Sequence, residues 1–295
     1  MTGAADAAGA RRRGHLRAIG LATLGFGLFS AGDAIMKMLS AGYPLPQTVF
    51  FNALFSMIPI VALALASGGP RMLGTRRPGL HLLRGALGLA TGYAGYFAFS
   101  HMPMADVYAI LFAAPLLITL LSALVFKERV DGRRWLAVLA GFAGVLLMSR
   151  PTAGIVDVGA LGAVACALCY ASSALVIRHW GRTETSLSFP FYANLLALPV
   201  LGALLPAVYV PPTAGDLAVM AVGGVVSGVA LTCILTAFRI APSPVVAPFQ
   251  YTQMLWGVLF GFLLFGDAPE PRLAIGGAVV IGSGLYLLRR EAAGR

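Results

Sequence analysis

Charge is scarce in this chain of 295 residues: only 11% of them are Asp, Glu, Lys or Arg, against about 25% in an ordinary soluble protein. Hydrophobic residues make up 59%, and the mean hydropathy is +0.85. This composition excludes a soluble globular domain and predicts an all-α membrane protein. Ten apolar stretches approach the ~20 residues that cross a bilayer. They run over 16–40, 46–67, 79–100, 104–126, 132–149, 157–179, 187–208, 215–237, 244–265 and 270–288.

Motifs for covalent or metal chemistry are also missing. Cys166, Cys169 and Cys233 lie inside predicted spans with no histidine at a metal-ligand spacing, which favours packing over metal binding. The chain has no G-x-x-x-x-G-K-[ST] loop for ATP, no H-E-x-x-H zinc motif and no G-x-S-x-G nucleophile. We therefore expect no enzyme, no cofactor and no metal.

Basic residues lie at the ends of the spans and alternate along the chain. If the N-terminus is cytoplasmic, 18 of the 21 Lys and Arg residues fall on the cytoplasmic side, and the exceptions are Lys37, Arg150 and Arg272. The positive-inside rule then predicts two cytoplasmic termini in a bacterial inner membrane. The formal net charge of +10 is explained by this topology and by contact with anionic membrane lipid, and no nucleic-acid partner is expected.

The chain repeats itself at a shift of 139 residues, which aligns spans 4 and 5 with spans 9 and 10. A weaker repeat at a shift of 141 residues aligns spans 1 and 2 with spans 6 and 7. The matches include Pro103 with Pro242, Phe126 with Phe265, Glu128 with Asp267 and, at 141, Lys37 with Arg178. Because five spans is an odd number, the second copy enters the membrane from the opposite side. The sequence thus predicts two inverted five-helix repeats, over 16–150 and 157–290, between terminal tails 1–15 and 291–295.

Inverted repeats are typical of secondary transporters, in which two similar bundles alternate access around a site near the bilayer midplane. One alternative stays open outside transport, a lipid-modifying enzyme or a sensor. Within transport, a drug or nucleotide-sugar carrier is the alternative. A channel is disfavoured, because it would need rings of like residues around a pore.

The end of span 4 and the start of span 5 carry a family resemblance. The stretch Pro115–Glu128 (PLLITLLSALVFKE) is followed by Gly141 and Gly144, and the second half repeats this as Met254–Asp267 with Gly282 and Gly284. In this the chain resembles the EamA-type ten-helix exporters of the drug/metabolite transporter superfamily. The resemblance implies a proton-coupled or facilitative carrier of small organic metabolites, and amino-acid export is the branch we expect.

Two ionisable residues lie inside span 1. Asp33 and Lys37 are four residues apart, on one face of a helix, and are therefore expected to be able to pair. Charges at membrane depth are functional hypotheses by default, so both are candidates for binding the substrate, and Asp33 also for carrying a proton. Asp106 is expected to cap span 4, and Arg84 to extend to the cytoplasmic headgroups.

Aromatic and amide side chains form a second group of candidates. Tyr108 and Phe112 share one face of span 4, and Tyr251 occupies the position of Phe112 in span 9. Such a face suits a ligand cavity that is mostly apolar and aromatic with a few polar groups. The substrate-binding candidates are Asp33, Lys37, Tyr93, Tyr96, Tyr108, Phe112, Gln250, Tyr251 and Trp256, and Pro115 and Pro248 are the expected kinks or hinges.

The topology makes a direct prediction about the segment between the repeats. A cysteine introduced at Thr152, in a variant without the native cysteines, should react with a membrane-impermeant thiol reagent added to intact cells. The reason is that residues 150–157 connect two spans on the external side. Labelling that appears only after lysis would contradict the predicted orientation.

Overall fold

The computed structural model describes residues 2–127, 132–149, 157–180, 184–268 and 270–293, and these residues are almost entirely helical, with no strand among them. Of the predicted external loop over 150–157, residues 150–156 lie outside the described residues. The α-helices are α1 (Thr2–Leu39), α2 (Leu45–Gly68), α3 (Pro78–His101), α4 (Met104–Leu111), α5 (Ala114–Val125), α6 (Gly132–Ser149), α7 (Val158–Trp180), α8 (Ser188–Val208), α9 (Ala214–Ile240), α10 (Ser243–Val246), α11 (Thr252–Phe265) and α12 (Pro271–Ala293).

The lipid environment explains why the chain is helical, because a helix satisfies its backbone hydrogen bonds internally. Six segments of the described chain are long and apolar enough to cross a bilayer, counting α4 and α5 together. Shorter apolar stretches lie in α6 and α12. Large apolar side chains such as Leu136, Leu255 and Leu263 are exposed on the outside of the bundle, as expected for contact with lipid. The fold is that of an all-α membrane protein with ten transmembrane helices.

Reciprocal packing relates the two halves. Helices α1, α2, α3, α4–α5 and α6 form the first repeat, and α7, α8, α9, α10–α11 and α12 form the second. Helix α1 packs on α9, while its counterpart α7 packs on α3, and the equivalent pairs α2 with α8, α4 with α11 and α6 with α12 also contact each other. This exchange of partners is the pattern of a two-fold interface. The two five-helix repeats are therefore inverted, as the odd number of spans predicted.

One helix in each repeat is interrupted. The regular α-helical hydrogen bonding is interrupted at Phe112 and Ala113, which keep right-handed helical backbone angles, and α5 begins with Pro115 at its second residue. In the second repeat a 3₁₀ segment, Ala247–Tyr251, which contains Pro248, separates α10 from α11. Proline lacks the N–H that would continue the ladder of hydrogen bonds, so both breaks fall beside the expected prolines. Their use as hinges stays a prediction.

The two ends of the bundle differ in charge. We call the end with the α2–α3 and α7–α8 connections the basic end, since it carries Arg71, Arg76, Arg77 and Arg239. The opposite end, with the α3–α4 and α11–α12 connections, is the acidic end. Glycines bring helices close between these ends: a Cβ on Gly224 of α9 would lie 2.6 Å from Cβ of Phe55 in α2. Such close approach holds helices together where lipid offers no hydrophobic drive.

Candidate functional site

Asp33 lies in the interior of the bundle, in contact with the interrupted helix of the first repeat. Its side chain on α1 is 4% exposed, and its Oδ2 accepts a hydrogen bond of 2.6 Å from the hydroxyl of Tyr108 on α4. Tyr108 is itself 2% exposed and packs against Gly257 of α11. The two candidates are thus brought together, and α4 links the first repeat to the second at this point.

Four aromatic rings form a continuous series from α3 through α4 to the 3₁₀ segment of the second repeat, which we call the aromatic chain: Phe99, Tyr108, Phe112 and Tyr251. Successive ring centroids are 5.3, 6.4 and 5.1 Å apart, and the first and last contacts are edge-to-face. Phe112 and Tyr251 occupy equivalent positions in the two repeats and touch each other. A contact between equivalent residues lies on the pseudo-two-fold axis, so the aromatic chain reaches the centre of the molecule.

Further polar side chains lie in the interior of the bundle. The amide of Asn52 on α2 donates to the hydroxyl of Tyr96 on α3 at 2.8 Å, and Tyr96 packs against the buried cluster that contains Tyr108. Asn52 Oδ1 and the Oγ of Ser30, one turn before Asp33, are enclosed and have no hydrogen-bond partner in the described chain. Buried polar atoms are normally paired, so these two atoms have hydrogen-bonding capacity that this conformation leaves unused.

The other candidates are more dispersed. Tyr93 is 38% exposed and is not part of the aromatic chain. Trp256 of α11 lies against Gly27 of α1 and stacks on Phe260, with ring centroids 6.0 Å apart. Gln250 lies in the 3₁₀ segment and is partly buried. None of these side chains forms a hydrogen bond or an ion pair with Asp33 in the described structure, and their role in binding stays a prediction.

The expected pairing of Asp33 with Lys37 is wrong. Lys37 Nζ lies 3.1 Å from Asp267 Oδ2 after α11, donates to the carbonyl of Met102 at 3.1 Å, and sits 4.6 Å from the ring centroid of Phe265. Lysine has the longer side chain, and it extends away from Asp33 to the acidic end. There it ties α1 of the first repeat to the end of α11.

Asp106 lies in the first turn of α4, where the helix N-terminus favours a carboxylate, while the N-cap residue itself is Pro103. Asp106 also lines a cavity of about 190 Å³ at the acidic end. Asp157, Asp267, Glu270 and His101 line the same cavity. Even so, no group of three or more His, Cys, Asp or Glu side chains in the described residues is arranged to hold a metal ion. The cavity is therefore an acidic opening at one end of the bundle.

Two reciprocal contacts join the repeats, one at each end. At the basic end, Nε2 of His81, in the first turn of α3, lies 3.0 Å from Oε2 of Glu184 in the α7–α8 connection, and both side chains are buried. At the acidic end, the hydroxyl of Tyr43, in the α1–α2 connection, donates at 2.6 Å to Asp216 in the first turn of α9. The inverted symmetry relates these contacts in position, although their chemistry differs.

Glu184 is held as a carboxylate by its surroundings. Burial alone would raise the pKa of this carboxyl, but hydrogen bonds from His81, Thr75 and the backbone N–H of Arg76 outweigh burial and lower the pKa below its ordinary value. This pair was not predicted from the sequence, because a single His and a single Glu about a hundred residues apart leave no pattern along the chain.

Comparison with known proteins agrees with this architecture. The model of the EamA-like transporter family matches residues 16–150 and 157–290. The chain belongs to the EamA-like transporter family. It is therefore an integral membrane transporter, and the family model matches each half of the chain once.

Relatives in this family carry specific names. The chain is similar to the riboflavin transporter of Rhizobium johnstonii, with 30% identity over 279 residues that cover 92% of this chain and 89% of that protein. It is 24% identical to the S-adenosylmethionine uptake transporter of Rickettsia prowazekii over 263 residues, which cover 89% of each. A crystal structure with 21% identity aligns over 96% of this chain and 99% of that one with a TM-score of 0.63, and it shares the fold.

The buried pair at the basic end yields a prediction on stability. The folded-state pKa of Glu184 is lowered, so its contribution to stability should be complete above the unfolded value of 4.5 and be lost as the pH falls through the folded value. Glu184→Gln should therefore lower the unfolding temperature at neutral pH, and the difference from wild type should shrink in acid. Ser186→Ala, in the same connection, is the control. A difference that stays constant with pH would show that charge is not involved.

Proposed function

We propose that this EamA-like protein carries small metabolites with a planar aromatic ring across the bacterial inner membrane by alternating access. The observation that carries the proposal is the contact of Phe112 with Tyr251, where the interrupted helices of both repeats meet beside Asp33. Interrupted helices at a repeat interface are where transporters of this kind bind their substrates. A substrate ring stacked on the aromatic chain would present its polar edge to Asn52 and Ser30.

Riboflavin is the first substrate to test. Its planar ring system suits stacking on aromatic side chains, and a relative with 30% identity is named as a riboflavin transporter. The amino-acid export expected from the sequence gains no support from these names, one of which specifies uptake. One observation favours an amino acid as the substrate: the Asp33 carboxyl lies in the interior of the bundle, and a carboxylate binds an ammonium group. Amino acids are therefore the second class to test.

The proposal also covers the orientation of the protein in the membrane and its lack of enzymatic activity. The basic end is cytoplasmic, and so are both termini, because the positive-inside rule assigns the Arg-rich connections there. The protein acts as a carrier and has no enzymatic activity, which distinguishes it from a lipid-modifying enzyme. Saturable flux into liposomes that contain only the purified protein would separate carrier from enzyme or sensor.

The first test measures substrate flux. Purified protein in liposomes should accumulate riboflavin, and Phe112→Ala should reduce this flux at least about fivefold, since loss of an aromatic stacking partner costs roughly 1–3 kcal/mol. Phe262→Ala, which removes an exposed ring from α11, is the matched control and should retain flux. Phenylalanine, methionine and S-adenosylmethionine are assayed in parallel, inward and outward. Saturable flux of an amino acid without riboflavin flux would overturn the proposed substrate class.

We further propose that Asp33 couples transport to protons. Lys37 is engaged by Asp267, so the Asp33 carboxyl has a tyrosine hydroxyl but no cationic partner in the described chain. An unpaired carboxylate shielded from water is strongly disfavoured, whereas a protonated carboxyl is not. A conformational change that exposes Asp33 would therefore release a proton, and its return would take one up.

The second test separates proton coupling from simple substrate binding. In liposomes with a proton gradient, wild type should accumulate substrate above the external concentration, and Asp33→Asn should abolish this accumulation while substrate still equilibrates. The exposed Asp157→Asn is the control carboxyl variant. Proton movement is followed with an internal pH dye. Full proton-driven accumulation by a folded Asp33→Asn protein would exclude Asp33 as the coupling group.

A further inference from the structure

Arg84 is a second ionisable residue inside the bundle, on α3 near the basic end. It lies six residues after Pro78, which places it about 9 Å along the helix axis at 1.5 Å per residue. Its guanidinium carbon is 4.7 Å from the ring centroid of Phe189 on α8. The Nε atom is enclosed and has no hydrogen-bond partner. The structure thus adds an aromatic contact and an enclosed Nε to the sequence expectation, in which Arg84 extends to the cytoplasmic headgroups.

The charge of Arg84 is not compensated by the described protein. The two ion pairs found there are Lys37 with Asp267 and His81 with Glu184, and neither includes Arg84. Arginine does not lose its proton in proteins, so it cannot become neutral as an aspartic acid can. The contact with Phe189 offsets part of the desolvation cost. It supplies no acceptor for the guanidinium N–H groups.

The terminal nitrogens form the accessible edge of this guanidinium. Only Nε is among the enclosed atoms without a partner, and no hydrogen bond engages the terminal nitrogens in the described chain. Helix α7, which carries Tyr170, also packs on α3. A planar fork of N–H donors matches the geometry of a phosphate or a carboxylate, which it binds through two parallel hydrogen bonds.

We propose that Arg84 binds an oxyanion through its terminal nitrogens, at a site bordered by α3, α7 and α8 near the basic end. The ligand class is a phosphate or carboxylate, and it comes either from a phospholipid headgroup or from a free anion. The site is separate from the aromatic chain and does not depend on which substrate is carried. Bound anion supplies the missing counter-charge and thereby stabilises the packing of α3 on α8.

The test uses purified full-length protein in dodecyl maltoside micelles, which contain no phosphate. In one arm inorganic phosphate is titrated at constant ionic strength, and in the other phosphatidylglycerol is added. Thermal unfolding is measured in both arms, with native mass spectrometry to count bound lipid. Wild type should show a rise in unfolding temperature in at least one arm. A rise with phosphate identifies a free-anion site, and a rise with lipid alone identifies a headgroup site.

Arg84→Gln decides whether this residue is responsible. It should weaken the anion-dependent rise by more than about tenfold in apparent affinity, as expected when one partner of a buried charge pair is removed. Arg239→Gln, an exposed arginine at the same end, should keep the rise. The proposal is overturned if wild type shows no rise in either arm, or if Arg84→Gln keeps the full rise.

A lysine variant keeps the experiment informative if Arg84→Gln does not fold. Arg84→Lys retains the positive charge but loses the planar fork, so its rise should persist at higher anion concentration. A folded lysine variant with no rise would overturn charge pairing as the basis of the site. A uniform loss of stability in both variants, equal with and without anion, would assign Arg84 a packing role and would also overturn the proposal.

Discussion

The absence of water in the hydrocarbon core is the constraint on which this structure depends. A backbone whose helical hydrogen bonding is interrupted there must be covered by protein, because lipid offers no hydrogen bonds. The break at Phe112 and Ala113 is placed accordingly: α4 and α5 together are the most enclosed of the six apolar spans, whereas α8 is the least enclosed. The inverted repeats cover both interruptions with protein, because the interrupted helices of the two repeats pack against each other.

The same constraint acts on every charge within the bundle, and three different solutions are found. Lys37 reaches a carboxylate and a carbonyl at the acidic end. Asp33 has a phenol as its partner. Arg84 has an aromatic face and no acceptor. These solutions follow from chemistry, because a carboxyl can be neutralised by a proton and a guanidinium cannot. Function is therefore expected at the two residues whose compensation is incomplete.

Much of the architecture could be predicted from the sequence. The ten spans, the inverted repeats and the equivalence of Phe112 and Tyr251 follow from hydropathy and register, both of which act along the chain. Partner choice could not be predicted in this way. Asp33 and Lys37 stand one turn apart, yet their partners lie 75 and 230 residues away. Asn52 and Ser30 were missed for the same reason: a single polar residue in an apolar span shows its importance only through its neighbours.

The reciprocal contacts at the two ends of the bundle occupy equivalent positions but differ in how far they are shielded from water. The Glu184 carboxylate and the His81 imidazole are both buried. The hydrogen bond from the Tyr43 hydroxyl to Asp216 is only partly buried, so water can compete for it. The symmetric scaffold is therefore closed by a shielded contact at one end and by a more accessible contact at the other. Opening the bundle towards the two sides of the membrane thus breaks contacts of different strength, and the inward-facing and outward-facing states need not be equal in free energy.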